Sequence, residues 1–157
     1  MQAAQGERKM VLVVGAGPIG LEAAVSLVKC GFAVTIVEKG TSVASNVRSW
    51  GHVRLFSNNT LNLSRWGRTA LVDMGQQVPN DDDHPSGAEL CACYLDTLAR
   101  WLEESPHAAV RLRTSVVALS RGELLKGEQV KAVGETARNN APFEALIGSA
   151  QQVMPSN

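Results

Sequence analysis

The chain has 157 residues, 45% of them apolar and 4% aromatic, with fifteen basic and fifteen acidic side chains that cancel. That length suits one domain with a core of its own, and a balanced charge with a pI near 6.8 argues against a nucleic-acid binder or a disordered chain. No apolar run reaches the roughly eighteen residues of a membrane helix.

Residues 1–9 are polar and read as a flexible N-terminus without a secretory signal. Met10-Val11-Leu12-Val13-Val14 predicts the first strand. The turn Gly15-Ala16-Gly17-Pro18-Ile19-Gly20 follows at once and opens a helical pattern that ends at Gly31. A second apolar run, Phe32 to Val37, closes on Glu38, eighteen residues past the last glycine of the turn. Strand, G-x-G-x-x-G, helix, strand and terminal acid stand in the order of a dinucleotide-binding βαβ unit.

Each residue type in this unit has a physical reason. Gly15 lets the chain turn sharply off the strand, where a Cβ would meet forbidden backbone angles. Gly17 lets the backbone approach a pyrophosphate, and Gly20 lets the helix pack closely on the strand. Pro18 suits the first turn of a helix, because its missing N–H would have no intrahelical partner there. The remaining N–H groups of that turn, at the positive end of the helix dipole, form an anion site. Ile19, Ala23 and Leu27, with Ala24 and Val28, are expected to form the buried stripe. Gly31 is placed to end the helix in the left-handed conformation. Glu38 can accept hydrogen bonds from both hydroxyls of an adenosine ribose and would repel a 2′-phosphate. The competing reading is a glycine-rich turn that binds nothing.

From Lys39 to Val72 there is no acid, while Lys39, Arg48, Arg54, Arg65 and Arg68 are cationic. Trp50, Phe56 and Trp66 lie in the same stretch, with His52. Such a segment could sit against phosphates and a flat ring system, or be a solvated loop with packing aromatics. Asp81-Asp82-Asp83-His84 lies between Pro79-Asn80 and Pro85 and reads as an exposed acidic turn, not a metal site.

Ser86-Gly87-Ala88-Glu89 is a capping box that starts a helix with a Leu90, Tyr94, Leu98, Trp101, Leu102 stripe. Asp96 and Arg100 are spaced for an i,i+4 pair, and Pro106 marks the end. Tyr94 and Trp101 read as core residues. Val110–Arg113, Val116–Leu119 and Phe143–Ile147 are short strand candidates, separated by a region that Gly122, Gly127 and Gly134 interrupt. Cys30, Cys91 and Cys93 make no disulfide framework, which points to a reducing compartment, most simply the cytoplasm.

With these residues in view, the chain resembles the N-terminal part of FAD-dependent oxidoreductases with two dinucleotide-binding domains. That group includes pyridine-nucleotide-disulfide reductases and flavin-containing monooxygenases. The resemblance rests on Val11–Ala24, on Val34-Thr35-Ile36-Val37-Glu38-Lys39, and on two later segments. Asn46–Ser57 is similar to a loop of the monooxygenase-like branch that approaches the flavin, and Pro85–Glu89 before a long helix is similar to that branch too.

The resemblance implies an α/β, Rossmann-like FAD/NAD(P)-binding βαβ domain over residues 10–147, incomplete relative to the family, with 148–157 as an unanchored tail. It implies that Gly15, Gly17 and Gly20 face the pyrophosphate, that Pro18 and Ile19 belong to the same cofactor-binding turn, and that Glu38 takes the ribose. Lys39 would then lie beside the adenosine, and Arg48 near the pyrophosphate or flavin. His52 is the one candidate for acid–base work, against the plainer reading of a loop histidine; no catalytic residue is assigned.

The departures are equally specific. No C-x-x-x-x-C pair follows the glutamate, and both the second G-x-G-x-x-G unit and the late Gly-Asp motif are missing. Three functions follow as expectations. The first is an FAD-binding oxidoreductase module whose full-length family takes electrons from NAD(P)H. The second is an NAD(P)-binding module, and the third an inactive fragment with a binding role. A missing second domain or a homo-oligomer would complete the protein, and neither nucleic acid nor membrane is expected as a partner.

Overall fold

The computed structural model describes residues 8–121 and 142–149. The expectations for residues 1–7, for Gly122, Gly127 and Gly134, and for 150–157 lie outside the described residues. Contacts divide the chain into two compact units, Met1–Arg113 and Thr114–Asn157.

The first unit is built on a parallel sheet of β1 (Met10–Val14), β2 (Ala33–Val37) and β3 (Ala108–Arg111), in that order. Met10 lies beside Ala33 and Val14 beside Val37, and Val34 to Val37 run beside Ala108 to Arg111. The connection from β1 to β2 is α1 (Pro18–Lys29). The one from β2 to β3 carries α2 (Ser45–Ser49), α3 (Asn59–Asn62), α4 (Arg65–Asp73), α5 (Gly87–Leu90) and α6 (Asp96–Glu104). This is the expected α/β Rossmann-like arrangement. No helix among the described residues is long and apolar enough to cross a membrane.

α1 shows how the glycine turn dictates packing. Leu21, Ala24 and Val25 are fully buried, while Ile19 is 83% exposed. The expected stripe led by Ile19 is therefore rotated. A Cβ on Gly20 would overlap the Gly15 carbonyl oxygen and lie 3.0 Å from its carbon, so Gly20 must face the turn. With Gly20 inward, helical spacing turns Leu21, Ala24 and Val25 inward and Ile19 outward. Leu27 and Val28 still pack against the core as partly buried residues.

The helix ends as expected. Gly31 has φ +93°, its N–H donates to Val28 C=O, and Phe32 N–H donates to Leu27 C=O. These two bonds are the Schellman pattern. Gly75, at φ +67°, closes α4 the same way.

The capping box is present: Glu89 N–H donates to Ser86 Oγ at 3.2 Å, and Ser86 N–H to the Glu89 carboxylate at 2.7 Å. The helix it starts is not uniform, because Cys91–Leu95 form a π-helical turn between α5 and α6. Leu90, Tyr94, Leu98 and Leu102 are buried as expected, and Trp101 packs partly buried on the core. Asp96 does not pair with Arg100. It pairs with Arg48 of α2, while Arg100 Nη2 lies 3.5 Å from Thr97 Oγ1. Arg48 is held in place for this by its own bond from Nε to Val43 C=O at 3.1 Å.

The second unit pairs β4 (Thr114–Ser120) with β5 (Glu144–Ser149), antiparallel, with an irregularity between Val116 and Ala118. Arg121 lies 4.2 Å from the centroid of the Phe143 ring. Strands thus occur where the three candidates stood, with ends shifted by one or two residues. The break between β3 and β4 falls at Arg113, whose φ of +53° no strand can hold.

Candidate functional site at the glycine turn

The end of β1 and the start of α1 form one continuous turn. Gly15, at φ +96°, leaves the strand while its N–H still donates to Val37 C=O at 2.7 Å. Gly17 is the residue before α1, Pro18 the first within it, and no side chain caps this end. An added Cβ on Gly17 would meet nothing within 4 Å, so the space in front of that backbone is open. The two glycines do different things: Gly20 is closed in by protein, whereas Gly17 faces emptiness.

The parallel register sets Val14 beside Val37, which delivers the acid after β2 to this turn. Glu38 accepts from Ala16 N–H at 2.8 Å and from Gly40 N–H at 2.7 Å. Ala44 N–H donates to Ala16 C=O at 2.8 Å, so the loop after β2 closes on the same turn. Gly15, Gly17, Pro18, Gly20 and Glu38 are therefore one cluster. Ile19 stands exposed at its rim and Lys39 is exposed beside it. The start of a helix, open backbone N–H groups and an acid within reach suit a phosphate-bearing group attached to a diol.

The cationic segment behaves differently from its sequence appearance. Its arginines find acids from outside the segment: Arg48 with Asp96, Arg68 with Asp81, and Arg54 with Glu89 at 3.6 Å. Arg65 lies over Trp66, 5.2 Å from the ring centroid. Trp50 packs where a Cβ on Gly87 would come within 2.7 Å of its ring. Phe56, at 97% exposure, is the aromatic of this segment left in the open, and His52 is exposed too. Asp81 to His84 form an exposed turn, bound through backbone carbonyls to Asn59 and Thr60 N–H. Among the described residues no group of three or more His, Cys, Asp or Glu could hold a metal ion.

A polar cluster that local spacing does not show lies behind the turn. Glu22 of α1 accepts from Tyr94 Oη and Ser64 Oγ, and from Ser64 N–H at 3.1 Å. Ser64 in turn caps α4 by accepting from Gly67 N–H at 3.0 Å. Burial, then the bond to the Glu22 carboxylate, pushes the Tyr94 hydroxyl pKa up, so it stays protonated and donates. The only sequence signal was an acid between the apolar residues of α1. A separate cleft of about 290 Å³, lined by Arg54, Asn59, Asp83, His84, Glu89 and Cys93 among others, contains no residue of the glycine turn.

A family model described as pyridine nucleotide-disulphide oxidoreductase matches residues 12–136. No curated protein matches the chain. Among solved structures, the chain is similar to OTEMO in complex with FAD and NADP, with 19% identity and TM-score 0.56, covering 89% of this chain and 22% of that one. It is similar to the bacillithiol disulfide reductase Bdr of Bacillus cereus at 22% identity and TM-score 0.54, over 74% of this chain and 32% of that one. It is also similar to THI4 of Thermovibrio ammonificans at 16% identity and TM-score 0.51, over 91% of this chain and 48% of that one. These likenesses concern the fold, and the chain spans less than half the length of each of the three.

Proposed function

We propose that this chain, which belongs to the pyridine nucleotide-disulphide oxidoreductase family, is the FAD-binding module of an oxidoreductase. The observation that carries the reading is the Glu38 carboxylate bonded to Ala16 N–H of the glycine turn. It sets a diol acceptor beside the uncapped start of α1, the spacing that an adenosine diphosphate requires.

The residues fit the group. Gly15, Gly17 and the first turn of α1 at Pro18 and Ile19 would hold the pyrophosphate, in the space that a side chain on Gly17 would fill. Gly20 holds α1 against the turn. Glu38 keeps lone pairs for the ribose hydroxyls after its two backbone bonds. Lys39, exposed and without an ion pair among the described residues, would border the adenosine. Arg48 is the remaining candidate for the pyrophosphate or flavin side, and its pairing with Asp96 fixes where its guanidinium stands. A bound flavin supplies hydride and electron transfer, and the protein supplies position and insulation.

Several supports favour FAD over a nicotinamide dinucleotide. They are the Arg48–Ser57 loop with its exposed Phe56 and the similarity to OTEMO, which was also solved with FAD bound. The assembled enzyme is monooxygenase-like and takes its electrons from NAD(P)H. A further domain or a second copy completes it, and its free cysteines suit the cytoplasm.

Titration of the purified chain with FAD, followed by flavin fluorescence and visible absorption, tests the reading. Binding that Gly17→Ala weakens supports it. A chain that ignores FAD and responds to NADH instead would overturn it in favour of the NAD(P)-binding alternative. NAD(P)H oxidation by this chain alone is expected to be negligible.

A further inference from the structure

Ala16, between the first two glycines of the turn, is fully buried and has both backbone groups taken. Its N–H donates to the Glu38 carboxylate, and its C=O accepts from Ala44 N–H at 2.8 Å. The loop after β2 thus grips this residue from both sides. The Ala16 carbonyl shares a peptide plane with the Gly17 N–H. No cis peptide occurs among the described residues, so these two groups point in opposite directions. A carbonyl drawn inward to buried Ala44 therefore turns the Gly17 N–H outward. That N–H donates to no group among the described residues.

Ala44 makes its bond from an unfavourable conformation. Its φ is +54°, in the left-handed region, where a Cβ crowds the backbone. It stands at the start of α2, a position that ordinarily takes an extended residue with a side-chain oxygen, and it has neither. Among the described residues one other non-glycine residue has a positive φ, Arg113 at +53°. Its N–H donates to Gly40 C=O at 2.9 Å, in the same loop. Both strained residues hold the loop that holds the turn. Such strain persists where the surrounding structure over-determines it, and it collects at ligand clamps.

We propose that Ala44 is a positioning residue for the cofactor: its N–H sets the 16–17 peptide so that Gly17 N–H stands ready to donate to the pyrophosphate. The identity of that anion rests on the FAD reading, while the peptide orientation rests on the bonds alone. The left-handed turn at Ala44 lets one residue serve two elements. Its C=O accepts from Arg48 N–H of α2 at 3.0 Å, and its N–H reaches back to Ala16. Glycine at position 17 permits a close approach but fixes no direction, since without a Cβ its backbone rotates freely. Ala44 supplies the direction.

Amide exchange of the ligand-free chain, followed by NMR, tests the clamp without a cofactor. The Ala44 amide should be protected and the Gly17 amide should exchange freely. An unprotected Ala44 amide or a protected Gly17 amide would overturn the proposal. When FAD is added, the Gly17 amide should shift and gain protection while Ala44 stays as it was. A Gly17 amide that bound FAD leaves unmoved would count against it equally.

Two variants read the consequence for affinity. Ala44→Gly holds a positive φ without a Cβ and should keep both the protected amide at position 44 and the binding of FAD. Ala44→Val places a β-branched side chain where φ is positive and should release the bond. FAD affinity of A44V should then fall roughly tenfold to a hundredfold, the worth of one hydrogen bond to a charged group. Unchanged affinity in an A44V chain that is folded by circular dichroism would reduce Ala44 to packing. Equal losses in A44G and A44V would do the same. If A44V does not fold, the response of the Gly17 amide to FAD still decides. A parent chain that binds no FAD would sink the cofactor reading, and the positioning role with it, while the exchange pattern shows separately whether the peptide orientation holds.

Discussion

The Glu38 carboxylate and the Ala16 N–H meet at 2.8 Å, which joins the residue after β2 to the middle of the glycine turn. With the second oxygen on Gly40 N–H at 2.7 Å, one side chain holds two loops before any ligand is considered. Glu38→Gln should therefore act twice. Hydrogen bonds to a charged acceptor contribute about 1.5–3 kcal/mol each, more than those to a neutral amide. FAD affinity is expected to fall roughly tenfold to a hundredfold, and the ligand-free chain should melt at a lower temperature. Calorimetry with and without FAD separates the two effects; an unchanged ligand-free midpoint would remove the structural role.

Gly17 and Gly20 offer a sharper contrast because both belong to one motif. Gly17 has φ −80°, a value open to any residue, and a Cβ there would meet nothing. Gly17→Ala should fold with an unchanged midpoint and lose FAD affinity, since the methyl occupies the ligand's space. Gly20→Ala should be destabilised by about 1–3 kcal/mol or more, because the clash is with backbone that cannot rotate away. Urea denaturation beside flavin titration reads both. Equal stability loss in the two variants would contradict the division.

The glycine turn and both strands around it were legible because their signals are local: apolar runs, a proline at the helix start, glycines where φ turns positive. The capping box at Ser86 was legible for the same reason. The rotation of α1 was not, since it depends on the Gly15 carbonyl lying over Gly20, a contact created by folding. Charge partners were also hidden. Arg48 finds Asp96 and Tyr94 finds Glu22 across separations of 48 and 72 residues, which no i,i+4 rule can anticipate. The cationic segment looked more unbalanced than it is because the acids that meet Arg48, Arg54 and Arg68 lie later in the chain.

Tyr94 and Gly67 form a second coupled pair. A Cβ on Gly67 would overlap the Tyr94 hydroxyl and lie 2.6 Å from Cζ, so α4 approaches the π turn only as glycine. Gly67→Ala should destabilise the chain by about 1–3 kcal/mol. Tyr94→Phe should cost about 1–3 kcal/mol for a different reason, the loss of a buried donor to Glu22. The double variant should be less destabilised than the sum, since Phe removes the hydroxyl, the worst part of the overlap that Ala creates, while the Cζ contact stays. Strict additivity in a double-mutant cycle would show that the two residues are not in contact.

Asp73 links three helices through charge and should give stability a defined pH dependence. Its Oδ2 accepts from Lys29 Nζ at 2.6 Å and from Trp101 Nε1 at 3.1 Å, with Lys29 lying 4.9 Å from the Trp101 ring centroid. The Lys29 bond, chiefly, holds the carboxyl below the ordinary aspartate value of 3.8 against the opposing effect of burial, and the Trp101 bond adds a smaller lowering. A depressed folded-state pKa adds stability above the unfolded value, and that stability is lost as pH falls through the folded value. Asp73→Asn should thus be less stable than the parent at neutral pH. The gap should stay under about 1 kcal/mol because the Asp73 side chain is 41% exposed and screened by water. In urea melts at stepped pH, the gap should close as pH drops below the aspartate range. A gap that persists unchanged in acid would assign the effect to the neutral contact with Trp101 instead of the ion pair with Lys29.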